Sequence, residues 1–141
     1  MCLERNEILV VIHETERRER IARLITDEGF AVTMAGEGLT ALRILGDRGF
    51  ALIVAATNLP GSLDGPAMMR RARQRHPWLK VLYTGEPATR PTLGNPDIDD
   101  FIAAPFESHE LIGCVFELLH RPMAAGAADL GRRVRAELRA S

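Results

Sequence analysis

The sequence predicts an α/β domain built on a doubly wound, five-stranded parallel sheet in strand order 2-1-3-4-5, with helices on both faces. Two observations carry this expectation. Short unbroken apolar runs recur along the chain, which is how strands buried on both faces of a parallel sheet read. Segments with apolar residues at helical spacing separate them, and right-handed strand–helix–strand crossovers then place helices on each side.

The runs are Ile8 to Ile12, Ala51 to Ala56, Leu79 to Tyr83 and Phe101 to Ala104. A fifth, Phe30 to Met34, follows Gly29 and alternates less cleanly, as an edge strand does. Ile21, Leu24 and Ile25 mark the first helix and Leu39, Leu42 and Leu45 the second, with Gly29, Gly46 and Gly49 as stops. Asp64 and Pro66 form the cap and first turn of a third helix carrying Met68, Met69 and Ala72. From Ser108, two apolar rows (Leu111, Val115, Leu118 and Ile112, Phe116, Leu119) make a face wide enough to cover a sheet. The stretch from Glu86 to Asp99 should hold one more helix, yet Pro87, Pro91 and Pro96 leave space for a turn or two.

A chain of 141 residues suits one core, expected over residues 1–121, and leaves no room for a second catalytic domain. A formal charge of -1 gives no overall pull toward nucleic acid or anionic membrane. The first apolar run is too short for a signal segment or a membrane span. Cys2 and Cys114 lie at opposite ends without metal-site spacing, so a reducing, cytoplasmic location is expected. Residues 122–141 read as a flexible join, Met123 to Ala128, and a short helical tail. That tail interleaves Arg132, Arg133, Arg135 and Arg139 with Asp129 and Glu137, as a solvated amphipathic helix does, and has no aromatic residue for base stacking.

Ligands of an open α/β sheet bind beyond the carboxyl ends of the strands, where the strand order reverses. Here that selects Ile12, His13 and Glu14 after the first strand and Ala56, Thr57 and Asn58 after the third, with Thr84 and Ala104 beside them.

Four pieces stand in a telling order: Ile8-Leu9-Val10-Val11; Leu59-Pro60-Gly61 followed by Asp64-Gly65; Tyr83-Thr84-Gly85; and Asp99-Asp100-Phe101 leading to Ala104-Pro105-Phe106. Through them the chain, over residues 7 to 120, resembles the receiver domain of response regulators in two-component signalling. The resemblance implies a flavodoxin-like fold and a role in phosphorelay signal transduction. It also implies a phosphorylation site made of an acidic pair, a phosphoacceptor aspartate, a hydroxyl residue and a lysine. These positions fall on Ile12 and His13, on Ala56, on Thr84 and on Ala104, so only the hydroxyl is retained.

A phosphoaspartyl site needs a carboxylate nucleophile and enough oxygen ligands for octahedral Mg²⁺. Ile12 and Ala56 supply neither, and Glu14 is a single flexible carboxylate. The losses are consistent with one another, because a lysine kept without its carboxylates would be a partly buried unpaired cation costing about 3 kcal/mol. The expectation is a stand-alone, atypical receiver (a pseudo-receiver) that is not an enzyme, holds no metal or cofactor and has lost Mg²⁺ binding. It would act by phosphorylation-independent protein–protein binding.

Thr84 and Phe101 occupy the family's switch positions, with turn capping and core packing as the plainer readings. Asp99 and Asp100 read as a solvated loop. Between Pro60 and Gly65 the loop is one residue longer than usual for the family, and the prolines after Thr84 alter the face that receivers use for output and dimerisation. Glu16, Arg17, Arg18, Arg20 and Ile21 on the first helix resemble the surface that receivers offer a kinase's helical bundle. The expected partners are a sensor histidine kinase or another response regulator, with a homodimer open, no membrane, and nucleic acid disfavoured. Two alternatives stand beside this reading: phosphorylation at Glu14 or His13, and nucleic-acid binding through the arginine tail.

Overall fold

The computed structural model describes residues 6–121; Cys2 and the expected join and arginine tail over 122–141 lie outside them. Strands β1 (Glu7–Val11), β2 (Ala31–Ala35), β3 (Leu52–Ala56), β4 (Lys80–Gly85) and β5 (Asp99–Ala103) are interleaved with helices α1 (Thr15–Thr26), α2 (Gly38–Asp47), α3 (Gly65–Arg75) and α4 (Ser108–His120). The strands pair in parallel as β2-β1-β3-β4-β5, the expected order. Among the described residues no helix is long and apolar enough to cross a membrane.

Alternate residues of the central strands serve two cores. Ile8, Val10, Ile12, Leu52, Val54 and Leu82 meet Ile21 and Ile25 of α1 and Leu111, Val115 and Leu118 of α4. Leu9, Val11, Ile53, Ala55, Val81 and Tyr83 meet Ala41 and Leu45 of α2 and Met68, Met69 and Ala72 of α3. Each Leu, Ile or Met fully withdrawn from water contributes about 1.5–3 kcal/mol, which is why the strands tolerate no polar residue at these positions.

The local signals perform unevenly. Asp64 caps α3 as expected, its carboxylate accepting from the Ala67 amide at 2.9 Å. Gly29 follows α1 at φ 101°, a left-handed conformation that suits glycine. Gly46 is no stop: α2 runs through it to Asp47. Leu39 is 46% exposed, because α2 buries Ala41 and Leu45 instead. The helix expected between β4 and β5 is reduced to one 3-10 turn, Pro87–Thr89. The following chain runs irregularly to β5, since the prolines remove amide donors that a helix would need.

Asp99 and Asp100 are not a solvated loop; both begin β5. The Asp99 carboxylate is buried, with one oxygen 2.7 Å from Arg73 as a charge contact. Its other oxygen accepts from the Gly94 and Asn95 amides. Asp100 accepts from Arg121 at 2.8 Å and from the Phe101 amide at 2.8 Å. The Asp99 amide donates to Asn95. Two donors on the outer edge of β5 are thereby satisfied within the chain, which blunts an edge strand against pairing.

Lys80, the only lysine of the sequence, lies within a strand read as an apolar run. Its ammonium donates to the carbonyls of Leu118 (2.6 Å), Leu119 (3.3 Å) and Arg121 (2.9 Å), closing the carboxyl end of α4. Replacing it by Met should cost about 2–3 kcal/mol in urea unfolding, since the carbonyls lose their donor, and should speed amide exchange in the last turn of α4.

Burial pushes Lys80 below its ordinary value of 10.5, Arg121 adding to this and Asp97 opposing it. Tyr83 moves the other way, pushed up to about 12 mainly by burial and next by Asp99. A folded value above the unfolded 10.0 means that Tyr83 stabilises fully below pH 10 and loses that contribution as pH rises to 12. Lys80, with a lowered value, contributes more as pH approaches 10.5. Thermal unfolding of Tyr83→Phe should therefore lack a destabilisation of about 2 kcal/mol that the natural chain shows between pH 10 and 12.

Candidate functional site

The carboxyl ends of β1, β3, β4 and β5 meet at one rim because parallel pairing sets them in register. Ala56 lies beside Thr84, and Gly85 beside Ala103. Ile12 follows β1, its amide donating to Ala35 at 3.0 Å, and Ala104 follows β5, its amide donating to Gly85 at 2.8 Å. The positions expected to form the site are thus brought together. Ile12 and Ala56 are buried, Ala104 is half-buried and His13 is exposed. Among the described residues no group of three or more His, Cys, Asp or Glu side chains could share a metal ion.

A cation does occupy this rim. Arg18, expected on the docking face of α1, turns its guanidinium inward, and Nη1 donates to the carbonyls of Ile12 at 2.8 Å and His13 at 3.0 Å. Two carbonyls beyond the last rung of β1 have no strand partner, and an arginine one turn into α1 reaches them. Gly36 accommodates the head group: a Cβ there would lie 3.1 Å from Nη1.

Thr84 is not a turn cap. It is a buried strand residue whose carbonyl accepts from the Thr57 amide at 2.9 Å. The turn is held by two other hydroxyls: Thr57 donates to Thr89 at 2.7 Å, and Thr89 donates to the Glu86 carbonyl at 2.7 Å. Gly85 leaves room for them, since a Cβ there would collide with the Thr57 hydroxyl and lie 2.6 Å from that of Thr89. Gly65 is similarly confined, because its Cβ would strike the Ala56 carbonyl. Phe101 is half-buried against the core on the α2–α3 side, with the Arg90 guanidinium 5.5 Å above its ring.

Ile21 needs correction: at 1% exposure it is a core residue, since its position on α1 faces the sheet. It adds only an edge to a groove of about 370 Å³ between α1 and the β5–α4 loop, also lined by Arg17, Arg20, Leu24, Pro105 and Phe106. Arg17 and Arg20 remain exposed on its rim, as does Glu16 farther along α1.

The family described as the response regulator receiver domain matches residues 8–116. The chain belongs to this family. Among curated relatives, the transcriptional regulatory protein TctD of Salmonella typhimurium is 32% identical over 117 residues, covering 81% of this chain and 52% of that protein. TcrA of Mycobacterium tuberculosis is 30% identical over 131 residues, covering 87% and 51%. The chain thus spans about half the length of these regulators. Among solved structures, a response regulator receiver protein from Sinorhizobium medicae superposes with a TM-score of 0.76 at 28% identity, covering 86% of this chain and all of that one. The receiver domain of NtrX from Brucella abortus gives 0.69 at 29% identity, covering 82% and 99%.

Receiver domains work with histidine kinases and other regulators in two-component systems. Here the strand-end positions selected in the sequence come together at one rim, whereas the contacts made by Arg18 and Thr57, both named there for other reasons, and by Thr89 run across loops and are not legible in the sequence. The hydroxyl pair yields a direct test. Gly85→Ala should lose about 1–3 kcal/mol in denaturant unfolding, and a Thr57→Ala/Thr89→Ala background should reduce that loss by removing the hydroxyls that the methyl would strike.

Proposed function

We propose that this receiver domain acts without phosphoryl chemistry, as a protein-binding regulator that holds one rim conformation. The observation that carries the reading is Arg18 seated on the Ile12 and His13 carbonyls, at the end of β1 where the family places its acidic pair. The donor set does not fit Mg²⁺. Ile12, His13, Ala56 and Ala104 supply no carboxylate, and the guanidinium places positive charge where the metal's own charge would need to be compensated. The end of β3 carries Ala56 and Thr57 and no carboxylate, and the Asp64 carboxylate farther on caps α3, so an acyl phosphate has no place to form at the strand end. The Thr57–Thr89–Glu86 chain supports the same reading, since it ties the β4 exit loop to the end of β3 through neutral groups.

The partner surface is the groove between α1 and the β5–α4 loop. Its apolar floor and exposed arginines suit a helical bundle presenting apolar and acidic residues, as a sensor kinase or phosphotransfer partner would. A cytoplasmic site of action follows from such a partner.

Amide NMR with Mg²⁺ and then beryllofluoride, an acyl-phosphate mimic, tests the chemistry. No site-specific shift is expected near Ile12, Ala56, Thr84 or Ala104, whereas saturable shifts there would overturn the proposal and direct attention to Glu14 and His13. Ala56→Asp alone should remain unlabelled by a small phosphodonor, because the metal ligands and the lysine are still missing. Charge reversal at Arg17 and Arg20 should weaken binding to an isolated kinase dimerisation bundle by about tenfold, measured by calorimetry with the fold intact by circular dichroism.

A further inference from the structure

On the face of the sheet opposite α1 and α4, helices α2 and α3 leave a second groove of about 310 Å³. Leu42, Leu45 and Ala72 form its apolar floor, and Arg43, Arg71 and Arg75 stand exposed around it. Among the described residues no acidic side chain lines it.

Ordinary helix chemistry explains only part of this charge. Arginine in the last turn of α3 complements the negative end of the helix dipole, which accounts for Arg73 and Arg75. Arg73 is further engaged by Asp99 and the Leu79 carbonyl. Arg43 sits mid-way along α2, and Arg71 precedes Arg75 by four residues, so two like charges share one face of α3 at a small energetic cost. Nothing acidic on α3 offsets them, because Gly65–Arg75 contains no Asp or Glu.

The groove is also held open. Gly46 lines it, and a Cβ at that position would meet nothing within 4 Å. A glycine inside a helix costs about 0.5–1 kcal/mol relative to alanine. At the far end, the His76 ring lies with Nε2 3.0 Å from the Leu45 carbonyl. A carbonyl only accepts, so Nε2 carries the proton and ties the start of the α3–β4 connection to α2.

We propose that the α2–α3 groove docks an acidic helical segment of a partner protein, with an apolar residue on Leu42 and Ala72 and carboxylates paired with Arg43, Arg71 and Arg75. Guanidinium forks match carboxylates two hydrogen bonds at a time, and the apolar floor suits a side chain better than a sugar–phosphate backbone. No Phe, Tyr or Trp lines the groove, and its one ring, that of His76, is held against the Leu45 carbonyl. The occupant lies across the sheet from the α1 groove, so one molecule can hold two proteins at once. The inference stands on α2 and α3 alone and is independent of the phosphorylation chemistry.

The test is an amide NMR titration of the full chain with a synthetic acetylated helical peptide of Glu-Glu-Leu-Leu repeats at low ionic strength. Saturable shifts are expected in Leu42–Gly46 and Arg71–His76. Gly46→Glu fills open space on a helix with a better helix former, so it keeps the fold while placing a carboxylate in the groove, and should weaken binding by about tenfold or more. Arg71→Glu/Arg75→Glu should do the same, and Arg23→Glu, at an exposed arginine that lines neither groove, should change nothing. The proposal fails if shifts spread over all exposed arginines, if Gly46→Glu binds unchanged, or if no saturation occurs by about 1 mM peptide. It also fails if a single-stranded oligonucleotide binds the same residues more tightly with a steep salt dependence, which would assign the groove to nucleic acid.

Discussion

Burial of β1 and β3 on both faces is the constraint from which the rest of this structure follows. Ile8 to Ile12 and Leu52 to Ala55 are fully buried, so helices must cover the sheet on each side. Parallel pairing then sets the carboxyl ends of four strands at one rim. This convergence is a property of the topology and not of any chemistry at the rim, which is why the fold accommodates the apolar Ile12, Ala56 and Ala104 there. Two of those three are buried, and apolar side chains are inexpensive to bury there.

Exposed backbone at the rim still has to be satisfied, and the solution runs through side chains that approach from neighbouring elements. Arg18 satisfies two carbonyls past β1, while Thr57 and Thr89 join the exits of β3 and β4. The proposed independence from phosphorylation rests on this arrangement, in which a guanidinium closes the end of β1 and two neutral hydroxyls join the exits of β3 and β4. Gly36 and Gly85 are permissive partners in it, since a methyl at either would crowd the group beside it.

The same economy shapes the β5 end of the sheet. With the helix between β4 and β5 reduced to one turn, buried charge takes over part of the positioning. Asp99 collects Arg73 and two loop amides, Asp100 collects Arg121, and Lys80 closes α4. Each of these charges has an opposite charge or several carbonyls as partners, the condition under which buried charge is tolerated. These contacts hold the β5 end of the sheet, whereas the α1 groove and the α2–α3 groove lie on opposite sides of a sheet whose core is intact.

How far the sequence could be read depended on the range of the interactions involved. Unbroken apolar runs and helical spacing are local consequences of burial, so Ile8 to Ile12, Ala51 to Ala56 and the rows from Leu111 to Leu119 located the strands, the last helix and the sheet order. The Asp64 cap and the shortening by Pro87, Pro91 and Pro96 were legible for the same reason. Whether an arginine on α1 faces solvent or a strand end, whether Asp99 is solvated or buried, and what Lys80 does inside an apolar strand depend on residues 5 to 41 positions away. Those outcomes were decided by tertiary structure alone, because a charged side chain settles where unpaired carbonyls or opposite charges await it, and only the folded chain brings them within reach.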